Sequence, residues 1–165
     1  MDGATLSRIA QGRRIPTLNT IDQALRATRH QLITIPTRGA TAVSTGAAIR
    51  SFIDTGRSQD ALRAFIQYND DLAREEGALR VALTIGEPAP TGALRWDAAL
   101  AALADHHLSR DSLPKSSWID DPSRRLAEEW VFDGTEYSAE HDRGVTPRAF
   151  RERGIVLNPD ELASI

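Results

Sequence analysis

The chain contains no cysteine, which excludes disulfide cross-links and thiolate metal sites together. Aromatic residues are sparse, at 5 % of 165 residues. No apolar run reaches the length of a membrane-spanning helix, and no signal-peptide pattern precedes a small-residue cleavage site. The expected location is therefore the cytoplasm. Also missing are a glycine-rich phosphate loop, a nucleophile elbow, any internal repeat and any low-complexity run. What is present is ordinary for a globular protein: 41 % hydrophobic and 26 % charged residues, in a chain long enough to bury a real core. Plentiful alanine, leucine and arginine favour helix over sheet, so the expected class is all-α.

Charge is unevenly spread. Residues 1–38 hold six basic and two acidic side chains, a local charge of +4, whereas the rest carries −7. A basic head on an acidic body suits a DNA-facing module joined to a protein-binding module. Two parts are expected, 1–38 and 39–165, with the Thr-, Gly- and Ala-rich residues 37–45 as the linker. Residues 31–36 alternate apolar and polar and read as a short strand or a helix exit.

Residues 5–25 are the most informative stretch. On a helix, Leu6, Ile9 and Ala10 share one face, while Ala4, Arg8 and Gln11 lie opposite, flanked by Thr5 and Ser7. Gly12 is a stop signal, Arg13 and Arg14 follow as a cationic pair, and Pro16 blocks direct continuation. Thr17 can then cap a second helix with Leu18, Ile21 and Leu25 as its buried stripe. Spacing alone also allows two ordinary amphipathic helices with a solvated basic turn.

The string Thr5-Leu-Ser-Arg-Ile-Ala-Gln-Gly-Arg-Arg-Ile-Pro16 resembles the recognition helix of the Xre family, the lambda-repressor-like helix-turn-helix domains. Ser7, Arg8, Ile9, Gly12, Arg13, Pro16, Thr17 and Thr20 match, Ala10 replaces the usual Glu, and the likeness covers residues 2–35. It implies DNA contacts from Thr5, Ser7, Arg8, Gln11, Arg13 and Arg14, with Arg8 at a base edge and Arg13 and Arg14 on phosphate, joined in one reading by Arg26. Such roles fit the chemistry of guanidinium groups. The first two helices of the family pattern have no counterpart here, so residues 1–38 are expected to be an amino-terminally truncated remnant. Either a longer native reading frame or a weakly binding reader would account for that, and the former is preferred.

The body reads as a run of helices. Residues 47–55 form one, closed by Gly56, and Ser58 is expected to cap the clearest, 59–74. There Leu62, Phe65, Ile66, Asn69, Leu72 and Ala73 make a stripe, with Arg63, Gln67, Asp70 and Asp71 facing water. Asn69 reads as a satisfied core amide or as a partner edge. Further helices are expected at 78–84, at 94–109 and, capped by Asp120 or Asp121, from Pro122 to about Trp130. Residues 133–144 read as irregular, Thr146-Pro147 and Asn158-Pro159 open two short closing helices, and 154–157 is a short apolar segment.

Little of this points to catalysis. His106 and His107 are adjacent and diverge by about 100° on a helix, which disfavours a shared metal. The acid pairs Asp70/Asp71, Glu75/Glu76, Asp120/Asp121 and Glu128/Glu129 diverge in the same way. A small hydrolase would need polar groups converging in a pocket around one of the histidines. No enzyme, cofactor or metal is expected. Trp96, Trp118 and Trp130 read either as core anchors or as a partner surface, with Trp118 and Trp130 the better surface candidates.

The motifs around Trp96, Trp118, Asp121-Pro122 and Phe150-Arg-Glu-Arg-Gly154 carry a second resemblance, across residues 55–165. They are similar to the carboxy-terminal region of actinobacterial Xre-like proteins that sit beside a nucleotidyltransferase-like protein, pairs that look like toxin–antitoxin modules. The resemblances together imply a DNA-binding transcriptional regulator, an antitoxin and autorepressor. Its implied partners are double-stranded operator DNA and a nucleotidyltransferase-like toxin, with no membrane and with a homodimer left open. Trp118, Trp130, Phe150, Arg151 and Arg153 are the expected partner-binding residues. The rival reading is a protein-interaction module that does not bind DNA.

Overall fold

The computed structural model describes residues 7, 11–13, 15–32, 34–132 and 136–162, and its fold class is all-α with one two-residue strand pair. The chain divides into two compact units, Met1–Ile35 and Pro36–Ile165, a boundary a few residues ahead of the expected one.

In the first unit, a backbone bond of 3.0 Å from Gln11 to Ser7 makes a helical turn, and Gly12 follows at φ 69. Helix α1, Leu18–Ala27, starts where Thr17 accepts the Thr20 amide. Its other end closes with the His30 amide on Leu25 and the Arg29 amide on Arg26. That bonding pattern places the residue after the cap in the left-handed region. Arg29 stands there at φ 60, a position that glycine would take at less cost. The expected buried stripe is not buried: α1 buries none of its residues, and Leu18 is 69 % exposed.

The second unit is built around a central helix. Helices α2 (Ala42–Asp54) and α3 (Ser58–Arg74) pack as a hairpin, followed by α4 (Gly77–Thr84) and α5 (Leu94–Arg110). A Thr41/Ser44 capping box starts α2, so the expected linker is already helical at residue 42. Arg57, not Ser58, occupies the cap of α3, and Ser58 is its first helical residue. Buried residues surround α5, because alanines at 98, 99, 101, 102 and 104 let neighbours approach from every side. Phe65, Trp96, Trp130 and Phe132 form a ring cluster with centroids 5.2–6.0 Å apart.

Residues 122–130 are not the expected helix. A single 3-10 turn, Pro122–Arg124, follows Asp121, whose carboxylate accepts the Ser123 amide. Beyond it the backbone bonds sideways: Leu126 donates to Arg153, Trp130 to Gly154 and Phe132 to Val156. Strand β1 (Trp130–Val131) thereby pairs in parallel with β2 (Ile155–Val156), Trp130 opposite Ile155. Between them lie α6 (Glu136–Val145), where irregular chain was expected, and α7 (Arg148–Arg151). The 3-10 turn Pro159–Leu162 comes last among the described elements.

Asp71 also departs from expectation, being buried rather than facing water. Its carboxylate accepts the Ala40 amide at 2.7 Å, Gln67 at 3.1 Å and Arg74 at 3.1 Å, so the charge is satisfied inside. Gly39 passes so close that a Cβ there would lie 2.6 Å from the Asp71 Cβ.

Candidate nucleic-acid interface and partner surface

Of the six expected DNA contacts, Thr5, Arg8 and Arg14 lie outside the described residues. Ser7, Gln11 and Arg13 are exposed. Ser7 and Gln11 share one face of the helical turn, and the Gln11 amide nitrogen reaches the Ser7 hydroxyl at 3.2 Å. Left-handed Gly12 then turns the chain, and Arg13 follows immediately. Arg26 is paired with Asp22 at 2.8 Å within α1 and its side chain stays exposed.

The expected partner residues divide sharply. Trp118 is buried, its indole N–H donating to the Thr84 carbonyl at 3.0 Å and the Arg124 guanidinium lying 4.9 Å from its ring. Phe150 is buried beside His106. Arg153 is 2 % exposed, and its guanidinium donates at 2.8 Å to Asp105 and to the carbonyls of Ala149 and Ile119. These three residues hold the unit together from inside, which corrects their expected surface role. Only Arg151, exposed, and Trp130, half-buried, remain where another molecule could meet them.

Two more arginines act from inside. Arg80 donates to the Leu72 carbonyl at 2.8 Å and pairs with Asp111, while Arg124 reaches the Pro88 carbonyl at 2.9 Å and Glu87 at 3.2 Å. Sequence reading missed both, since an arginine on a short helix or turn ordinarily signals surface.

A polar cleft of about 470 Å³ gathers Asp105, His106, Ser109, Lys115, Arg148 and Glu152. This meets the placement required for a hydrolase, but the bonding differs. The Ser109 hydroxyl donates to Asp105 at 2.8 Å, and no hydrogen bond joins it to an imidazole among the described residues. Burial opposes a charge on Asp105, yet bonds from Lys115, Ser109 and Arg153 outweigh it and hold the carboxyl below its ordinary pKa. Arg148 and Glu152 are paired at 2.6 Å. The cleft is therefore largely a closed ion-pair network. His106, partly buried and near Arg110, has its pKa lowered first by burial.

His107 points elsewhere. It meets Asn69 Oδ1 at 2.8 Å, and Asn69 donates to the Leu162 carbonyl at 3.0 Å, so Asn69 is the satisfied core amide. That arrangement puts the imidazole proton on Nε2 and leaves Nδ1 without a partner among the described residues. Burial, reinforced by His106 and Arg110, pushes the His107 pKa down to about 3. Among the described residues, no group of three or more His, Cys, Asp or Glu is placed to hold a metal ion. No helix among them is long and apolar enough to cross a membrane.

An open surface lies around Trp130. A groove of about 340 Å³ is lined by Trp96, Trp130, Val131 and Phe132 together with Gln59, Leu62 and Arg95. Arg95 lies over the Trp130 ring, 5.7 Å from its centroid. Neither a family model, nor a curated protein, nor a solved structure matches this chain.

Proposed function

We propose that this chain is a DNA-binding transcriptional regulator whose helical body binds a partner protein, acting as an antitoxin that represses its own operator. One observation carries the reading. A helical turn presenting Ser7 and Gln11 ends at left-handed Gly12, passes directly to exposed Arg13, and is followed by the Thr17-capped helix α1. Hydroxyl and amide side chains on one face suit base-edge and sugar–phosphate contacts, and a guanidinium just past the helix end suits phosphate. The +4 charge of residues 1–38 supports the same reading. Repression would be steric, the bound chain occupying the promoter and the body covering the partner's active site. The partner proposed is a nucleotidyltransferase-like toxin.

A protein-interaction module without DNA binding is favoured by one specific feature: Ile15 and Leu18 are 92 % and 69 % exposed, apolar groups that phosphate would not cover. A gel-shift titration separates the two readings. The regulator should retard the duplex lying upstream of its own gene well before a shuffled duplex of equal length. Equal retardation of both, or none, would leave only the interaction module. Co-purification with the product of the adjacent gene tests the partner half.

A further inference from the structure

We infer that the groove beside β1 takes an extended, acid-bearing segment of the partner protein as an added strand; this rests on the partner-binding half of the proposed function. The backbone supplies the first reason. Trp130 and Phe132 turn their N–H groups toward β2, donating to Gly154 at 2.9 Å and Val156 at 2.8 Å. Strand geometry alternates these directions, so the N–H and C=O of Val131 face the opposite edge. No described group bonds to them there. An unpaired strand edge is a template for another extended chain.

The side chains supply the second. Val131 lines the groove together with the rings of Trp96, Trp130 and Phe132, so a chain bonded to Val131 runs along an aromatic wall. Alternate side chains of that segment enter the groove, and apolar ones bury against the rings. Charge supplies the third. Among the described residues the groove lining includes no carboxylate, and the one charged group they contribute, Arg95, is exposed and has no described carboxylate within 4.0 Å. A carboxylate on the incoming segment completes that guanidinium. A basic segment would place like charges together over Trp130.

The test titrates the full chain with a short acetylated peptide of alternating valine and threonine carrying one glutamate. Amide and indole NMR shifts are the readout. Expected are shifts centred on the Val131 amide and the Trp96 and Trp130 indoles. Replacing the glutamate by lysine should weaken binding about tenfold, and N-methylating the edge-facing peptide amides should do the same. The exposed substitution Arg95→Glu should reverse the preference between the two peptides. Affinity indifferent to N-methylation, a preference unmoved by R95E, or no shift at Val131 would each overturn the inference. So would a second copy of this chain occupying the edge, seen as a concentration-dependent dimer that the peptide fails to displace. If the adjacent gene product binds wild type and R95E equally, strand docking fails while the regulator reading stands. If the peptide binds as expected but that product never co-purifies, the groove stands and the regulator's partner half fails.

Discussion

Replacing Arg153 by alanine removes three hydrogen bonds from one buried guanidinium, each 2.8 Å long. The carbonyls of Ala149 and Ile119 lose a donor, and Asp105 loses the partner on its Oδ2. Asp105 keeps Ser109 at 2.8 Å and Lys115 at 2.5 Å, so its charge is not stranded, but the cavity is polar and incompletely filled. With Asp105 still paired, the loss is that of the three bonds at about 1 kcal/mol each, about 3 kcal/mol in all. For a chain of this size that lowers the melting temperature by about 10 °C. Arg153→Lys keeps the charge but cannot fork to three acceptors, and should recover about half of the loss. The assay is urea unfolding followed by tryptophan fluorescence, run on wild type, R153A, R153K, Asp105→Asn and the double variant R153A/D105N. The double variant should be less destabilised than the sum of the singles, because the Arg153–Asp105 bond is lost in both singles and would be counted twice. A loss below about 1 kcal/mol for R153A, with partner binding abolished, would refute the internal role and return Arg153 to the surface.

His107 predicts a stability that depends on acid. Its folded pKa lies below its unfolded value, so its contribution is complete above pH 6.5 and is lost as pH falls toward 3. Unfolding free energies from urea titrations should drop by up to about 1.4 kcal/mol per pH unit below 6.5, and His107→Gln should flatten that slope. Gly39→Ala forces its new Cβ against Asp71 and should cost about 1–3 kcal/mol, read as a lower melting temperature. Arg29→Gly relieves the left-handed residue after α1 and should slow amide exchange in Leu18–Ala27 by several-fold, about 1 kcal/mol.

The sequence made some elements legible and concealed others for physical reasons. Helices α3 and α5 were readable because apolar spacing and local stop signals lie within the segments themselves. β1 was not, because what draws residues 126–132 out of helix is bonding to 153–156, a stretch remote in sequence. Cap-then-proline at Asp121-Pro122 signalled a helix start, and a start is all that formed. The buried cations Arg80, Arg124 and Arg153 were hidden because each bonds to backbone carbonyls, which carry no sequence signature, and to a carboxylate remote in sequence. Trp118 misled in the same way: its position after Lys115-Ser-Ser looked like a loop tip, yet Thr84 accepts its indole proton. The open groove went unseen because Trp96, Phe132 and Arg95 converge on Trp130 only after β1 pairs.

The salt dependence of DNA binding tests the central claim most directly. Fluorescence anisotropy of the labelled upstream duplex should give an affinity that falls about 40-fold between 50 and 200 mM salt if Arg13, Arg14 and one further cation each meet a phosphate, and Arg13→Ala should lower the logarithmic slope by about one. An affinity unchanged by salt, or a slope untouched by R13A, would contradict the account.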